Sequence, residues 1–198
     1  MFAGMKVATR LALGFGTVVV LLLVISVTTV LRLGTVNDDT TLIVNDRAPK
    51  AAMANDAILH AVDNERRMYA MLLAANEAEV EQHKQAVQQT RTQDAEAFAK
   101  LDKLIASDKG RKLYQDIVDK QVVLAQKFEP LYALMKADRA KAGEFLKKDF
   151  VPANLALEHA LKNLPDYQDQ LVHEAAEDAE QTYVQTRSLI IGLAVAAM

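Results

Sequence analysis

The chain has 198 residues, 51% of them hydrophobic and 25% charged, with neither Cys nor Trp. Its 23 basic and 26 acidic residues leave a net charge of −3, so no basic excess exists to hold a phosphate backbone, which argues against nucleic acid as a partner. Zero Cys removes disulfide scaffolds, thiolate metal sites and thiol nucleophiles, and 7 Gly with 4 Pro are too few turn-formers for an all-β chain.

The first predicted element is a membrane helix over residues 11–31, LALGFGTVVVLLLVISVTTVL, an uncharged run between Arg10 and Arg32. At 1.5 Å per residue it is about 31 Å long, the thickness of a hydrocarbon core. A secretory signal peptide is the alternative, but this run is longer than a signal's apolar region and lacks a small-x-small cleavage site after it. Lys6 and Arg10 precede the run and no acid occurs before Asp38. That asymmetry puts residues 1–10 in the cytoplasm and residues 32–187 outside, in the periplasm of a bacterium. A second apolar run, residues 188–198 (SLIIGLAVAAM), is about 16 Å long and reads as the start of a second membrane helix, cut short at Met198.

Between the two runs, breaks are expected at Asn76-Glu77, at Ser107 to Gly110, where the Gly could take a left-handed conformation, and at the polar stretch Asp138 to Gly143. The intervening segments carry helical 3–4 spacing. The first stripe is Ile58, Val62, Glu65, Tyr69 and Leu72. The second runs Val80, Lys84, Val87, Arg91, Asp94, Phe98, Leu101 and Ile105, and the third Leu113, Ile117, Gln121, Leu124, Phe128, Leu131 and Met135. The last is Leu157, Leu161, Leu164, Gln168, Leu171, Ala175 and Thr182. Four stripes with short connections predict an all-α fold: an antiparallel up-down four-helix bundle between two transmembrane helices. Pro152 suits a first helical turn, whereas Pro130 and Pro165 fall inside stripes and predict local kinks. The low-bulk faces AAMANDA and EAAEDAE would let a second copy approach closely, which predicts a homodimer.

The pattern KVATRLALGFGTVVVLLLVISVTTVLRLGTVND resembles the first membrane helix of bacterial methyl-accepting chemotaxis receptors. HAVDNERRMYAMLLAANEAEVEQHK, with Gly110, Gly143 and Pro152, resembles that family's four-helix-bundle sensor. The resemblance spans the whole chain. It implies a homodimer that binds a small solute outside and passes the event to a cytoplasmic relay and kinase-coupling machinery, which this sequence does not include. The rival readings are the input domain of a membrane histidine kinase or nucleotide cyclase, and a ligand-free structural anchor.

A sensor of small organic anions needs arginines, whose guanidinium groups match carboxylates bidentately. Arg66 and Arg67 form the densest basic pair near the first stripe. Arg66 sits on the shoulder of the seam, and its place resembles that of the first-helix arginines with which receptors of this family bind amino acids at the subunit interface. For Arg67 an ordinary i,i+4 pair with Asp63 is the competing explanation. Arg91 occupies a core position, where a charge needs a partner or a ligand; Asp94 and Glu65 are the candidate partners. By rise per residue Arg66, Arg91 and Tyr132 lie about 15, 21 and 12 Å from the membrane-distal tip, and Tyr69 could add a hydroxyl or ring face. The candidate ligand residues are therefore Arg66, Arg67, Tyr69, Arg91 and Tyr132. His60, His83, His159 and His173 share no ligating spacing, and Met53, Met68 and Met71 on a stripe read as core filler rather than haem ligands. No metal, cofactor or catalytic constellation is expected, and the chain reads as a sensor, not an enzyme.

Overall fold

The computed structural model describes residues 6–197. Six α-helices follow in chain order: α1 (Val7–Leu42), α2 (Ala48–Leu73), α3 (Glu77–Leu104), α4 (Asp108–Ala137), α5 (Arg139–Phe145) and α6 (Val151–Ala197). Single π-helical turns, Ile43–Arg47 and Leu146–Phe150, precede α2 and α6. The chain divides into two units: residues 45–170, and the flanking stretches up to Val44 and from Leu171.

In the flanking unit, α1 carries the uncharged run. The helical stretch Val7–Leu73 holds a window of mean hydropathy 2.6 with none of it buried, the one helix among the described residues that is long and apolar enough to cross a bilayer. Several of its hydroxyls are already satisfied. Thr17, Thr29 and Thr40 each donate to the carbonyl four residues earlier at 2.8 Å. A hydroxyl so paired can sit in hydrocarbon without an unmet polar group.

The other unit is the bundle, formed by α2, α3, α4 and the first part of α6. Its helix ends are built locally. Asn76 caps α3, its Oδ1 accepting from the Glu79 amide (3.0 Å), while Glu79 accepts from the Ala75 amide (3.0 Å) and the Asn76 Nδ2 (2.8 Å); this is a reciprocal capping box. Ser107 caps α4 by accepting from the Gly110 amide at 3.1 Å. Gly110 is therefore inside the first turn and has no positive φ. What requires glycine is crowding: a Cβ would lie 2.8 Å from Ser107 Oγ and 2.9 Å from Ile105 Cγ2. The expected break at Asp138–Gly143 shrinks to Asp138 alone. That residue accepts from the amides of Ala140 and Lys141, both at 3.1 Å, and so starts α5 at once. The amide of Lys141 in particular holds the Asp138 carboxyl below its usual pKa. The helices continue through both Pro130 and Pro165.

The second, third and fourth stripes supply the core as expected: Val87, Phe98 and Leu101 from α3, Ile117, Leu124, Phe128 and Leu131 from α4, and Leu157, Leu161 and Leu164 from α6. Leu146 and Phe150, at the two ends of the π-turn, are also fully buried. The first stripe is corrected. In α2 the buried positions are Lys50, Ala54, Ala57, Ala61, Asn64, Met68 and Met71, whereas Val62 and Tyr69 are exposed and Ile58, Glu65 and Leu72 are only partly covered. α2 and α3 run close together over more of their length than any other pair of bundle helices, and a close approach favours small residues such as Ala54, Ala57 and Ala61 over leucine. Part of the AAMANDA segment is thus used inside the subunit, not against a second copy.

Candidate functional site

The alanines that let the helices approach also leave space. Ala57 and Ala61 of α2, Ala95 of α3 and Ala125 of α4 face a cavity of about 440 Å³. Leu157 and Leu161 of α6 and the rings of Phe98 and Phe128 form much of the apolar wall. Gln88, Thr92 and Ala95 on α3 and Val122 on α4 are solvent-exposed, so the cavity opens as a slot between α3 and α4.

Arg91 lines this cavity, with its guanidinium 4.4 Å from the centroid of the Phe128 ring. Phe128 is itself fixed edge-on against Phe150, with centroids 5.1 Å apart at 90°, and lies 6.2 Å from Tyr132. A guanidinium over a ring face is held by the ring quadrupole while its N–H edge stays available. Neither carboxylate expected as its partner takes that role. Asp94 pairs with His60, Oδ1 to Nδ1 at 2.6 Å, and Glu65 accepts from Asn154 Nδ2 at 3.1 Å. No ion pair reaches Arg91 among the described residues. Burial pushes the Asp94 carboxyl above its ordinary pKa, against the lowering effect of the His60 hydrogen bond.

Amide groups complete the polar side of the cavity. Asn64, whose carbonyl oxygen accepts from Thr90 Oγ1 at 2.8 Å, and Gln121 both line the cavity. Behind α2, Asn154 is fully buried. Its Nδ2 donates to Glu158 (2.6 Å), to Glu65 (3.1 Å) and to the Ala61 carbonyl (3.3 Å). Burial, then the neighbouring Glu65, raises the pKa of Glu158.

The other candidates lie elsewhere. Arg66 and Arg67 both close on Asp63, Arg66 through Nε and Nη2 and Arg67 through Nε at 2.6 Å. The hydrogen bond from Arg66 is the largest cause of the lowered Asp63 pKa. Tyr69 stands on the outer face of α2. Tyr132 is buried beneath the Lys84 ammonium, 5.1 Å from its ring centroid, and burial pushes its pKa up to about 12, so it stays a neutral phenol. It lines a smaller, more distal cavity of about 260 Å³ with Lys84 and Arg139. The fold thus links Arg91 to Tyr132 through Phe128 and keeps both apart from Arg66, Arg67 and Tyr69, none of which lines the larger cavity.

Sequence reasoning had not singled out Asn64, His60, Gln121 or Phe128 for the site. The available signal was polarity on an apolar stripe. Gln121 stands at a core position of the third stripe, and Asn64 would have stood out had the alanines of α2 been read as its core.

An all-helical bundle with an internal polar-and-apolar cavity defines the class, a four-helix sensor. The chain belongs to the family of four-helix-bundle sensory modules for signal transduction, which matches residues 4–183 and is the module of methyl-accepting chemotaxis proteins. The resemblance seen in the sequence therefore holds. No curated protein and no solved structure gives a match.

Proposed function

We propose that the chain is the sensor half of a transmembrane chemoreceptor, with residues 32–187 on the periplasmic side of the bacterial inner membrane. It binds a small organic anion and acts on the cytoplasmic kinase-coupling machinery through its last helix. The observation that carries the reading is Arg91, an arginine with no carboxylate partner among the described residues, at the wall of a cavity inside the bundle. Half-buried against an aromatic face, its guanidinium keeps a donor edge turned to whatever anion enters. Leu157 and Leu161 put α6 in the wall of the same cavity, and α6 continues to Ala197. A ligand that fits one position of α6 better than another shifts the helix by an ångström or two, and only that difference in affinity drives the relay.

The receptor works as a homodimer. Leu59, Val62, Arg66, Tyr69 and Leu73 follow one another at alternating spacings of three and four along the outside of α2, the repeat of a two-helix seam. Leu59 and Leu73 are 66% and 85% exposed in the single chain, as side chains that wait for a partner helix would be.

A thermal-shift screen of organic acids and amino acids tests the sensor reading. A true ligand at about 100 times its Kd raises stability by about 2.7 kcal/mol. If no compound shifts the melting curve at millimolar concentration, the bundle is a ligand-free anchor.

A further inference from the structure

We infer that the cavity beside Arg91 is a monocarboxylate site contained within a single subunit, and that its ligand carries an aromatic or branched apolar body rather than a second charge. This deepens the sensor reading and rests on it.

Containment follows from the walls. All four bundle helices of one chain contribute to the lining, so one subunit meets a bound molecule on every side but the slot and the ligand need not touch a second copy. The slot between α3 and α4 supplies the entrance, and it lies away from the outer seam of α2, whose Leu59, Val62, Tyr69 and Leu73 take no part in the cavity.

The class of ligand follows from the charge inventory. Arg91 is the single cation among the lining residues, so it satisfies one carboxylate and leaves a second without a partner. Asp94 is the single acid there, and its carboxylate is already engaged by His60 at 2.6 Å. An α-ammonium group would have to share that carboxylate with the His60 ring, whereas a plain carboxylic acid brings no second charge to be met. The amides of Asn64 and Gln121 add neutral hydrogen-bonding groups. The Gln88 amide and the Thr92 hydroxyl lie at the exposed rim, and the remaining wall is methyl, isopropyl and isobutyl groups and two phenyl rings. A volume of about 440 Å³ falls in the range of small-molecule sites, of order 300–1,000 Å³, and exceeds what a two- or three-carbon acid fills. A carboxylate on Arg91 with a ring against Phe98 and the leucines of α6 joins the charged wall to the apolar one.

The test is isothermal titration of the full chain in lipid nanodiscs, corrected for empty discs, with 3-phenylpropionate, phenylalanine, succinate and 3-phenylpropanol. 3-Phenylpropionate binds once per subunit, at least about 10-fold more tightly than the other three, since each lacks the single charge, adds an unpaired one or lacks the apolar body. Arg91→Ala weakens it about 10- to 100-fold, as expected for losing a charge-assisted hydrogen-bonded pair. Should Arg91→Ala fail to fold, the double variant Ala95→Leu and Ala125→Leu fills the cavity from its rim; it loses binding while keeping the wild-type melting curve. One ligand per two subunits, or loss of binding with Arg66→Ala while Arg91→Ala still binds, would overturn containment and leave the sensor reading standing. Preference for succinate or phenylalanine would overturn the ligand class alone. Silence from every carboxylate in both titration and thermal shift would overturn the inference and the sensor reading together.

Discussion

Two groups of arginines on neighbouring helices have opposite surroundings. Arg66 and Arg67 share the single carboxylate of Asp63 on the surface of α2, and Arg66 is 73% exposed. Arg91 has an aromatic face in place of an anion and lines a cavity. The same side chain is in one case a solvated ion pair of small energetic weight and in the other a cation whose donor edge is still open. Proximity of basic residues in sequence is therefore a poor guide to binding; what matters is whether a carboxylate of the chain already occupies the guanidinium.

The largest effect expected from breaking this contrast is at Phe128. Phe128→Ala removes the platform under Arg91 and the edge-on packing on Phe150, and should destabilise the bundle by about 3–5 kcal/mol in urea denaturation. Phe128→Leu keeps most of the volume and should cost less than about 1.5 kcal/mol, yet still weaken carboxylate binding because Arg91 loses its ring. Next is the outer face. Leu59→Glu with Leu73→Glu should turn the dimer into a monomer in sedimentation equilibrium, and the urea midpoint should rise with protein concentration for the wild type but not for the variant, since both side chains are exposed in the single chain.

The carboxylates extend the contrast to pH with opposite signs. Asp63 has a folded pKa below its unfolded value near 3.8, so its contribution to stability is present above that value and is lost as pH falls through the folded pKa. Asp94 has a folded pKa above 3.8; its contribution is full below that value and is lost as pH rises through the folded pKa. Urea midpoints measured from about pH 3 to 7 should therefore lose acid-side slope in Asp63→Asn and lose the opposite slope in Asp94→Asn. The smallest effect is at Arg66 and Arg67. Each changed singly to Ala should cost less than about 1 kcal/mol, because the other arginine keeps Asp63 paired. A double-mutant cycle in which the two losses simply add would show that they do not share it.

Much of this was legible in the chain. The stripes of α3, α4 and α6 are built from large apolar residues at helical spacing, so their buried faces follow directly from the pattern, and Arg91 was conspicuous as a charge on such a stripe. The buried face of α2 was not legible in the same way. There Val62 and Tyr69 lie outside, while Ala54, Ala57 and Ala61 lie inside, because backbone closeness, not bulk, selects the residues between α2 and α3. Gly110 shows the same limit: its role comes from the nearness of Ser107 and Ile105 rather than from a left-handed turn.

The sequence by itself determined the uncharged helix, the all-helical class and three of the four buried faces, since length, charge and periodicity are properties of one strand of text. The tertiary structure alone decided that Arg91 meets a ring rather than a carboxylate and where alanines from separate helices meet to open a cavity. Those outcomes depend on distances between residues far apart in the chain, and periodicity along a single helix carries no information about them.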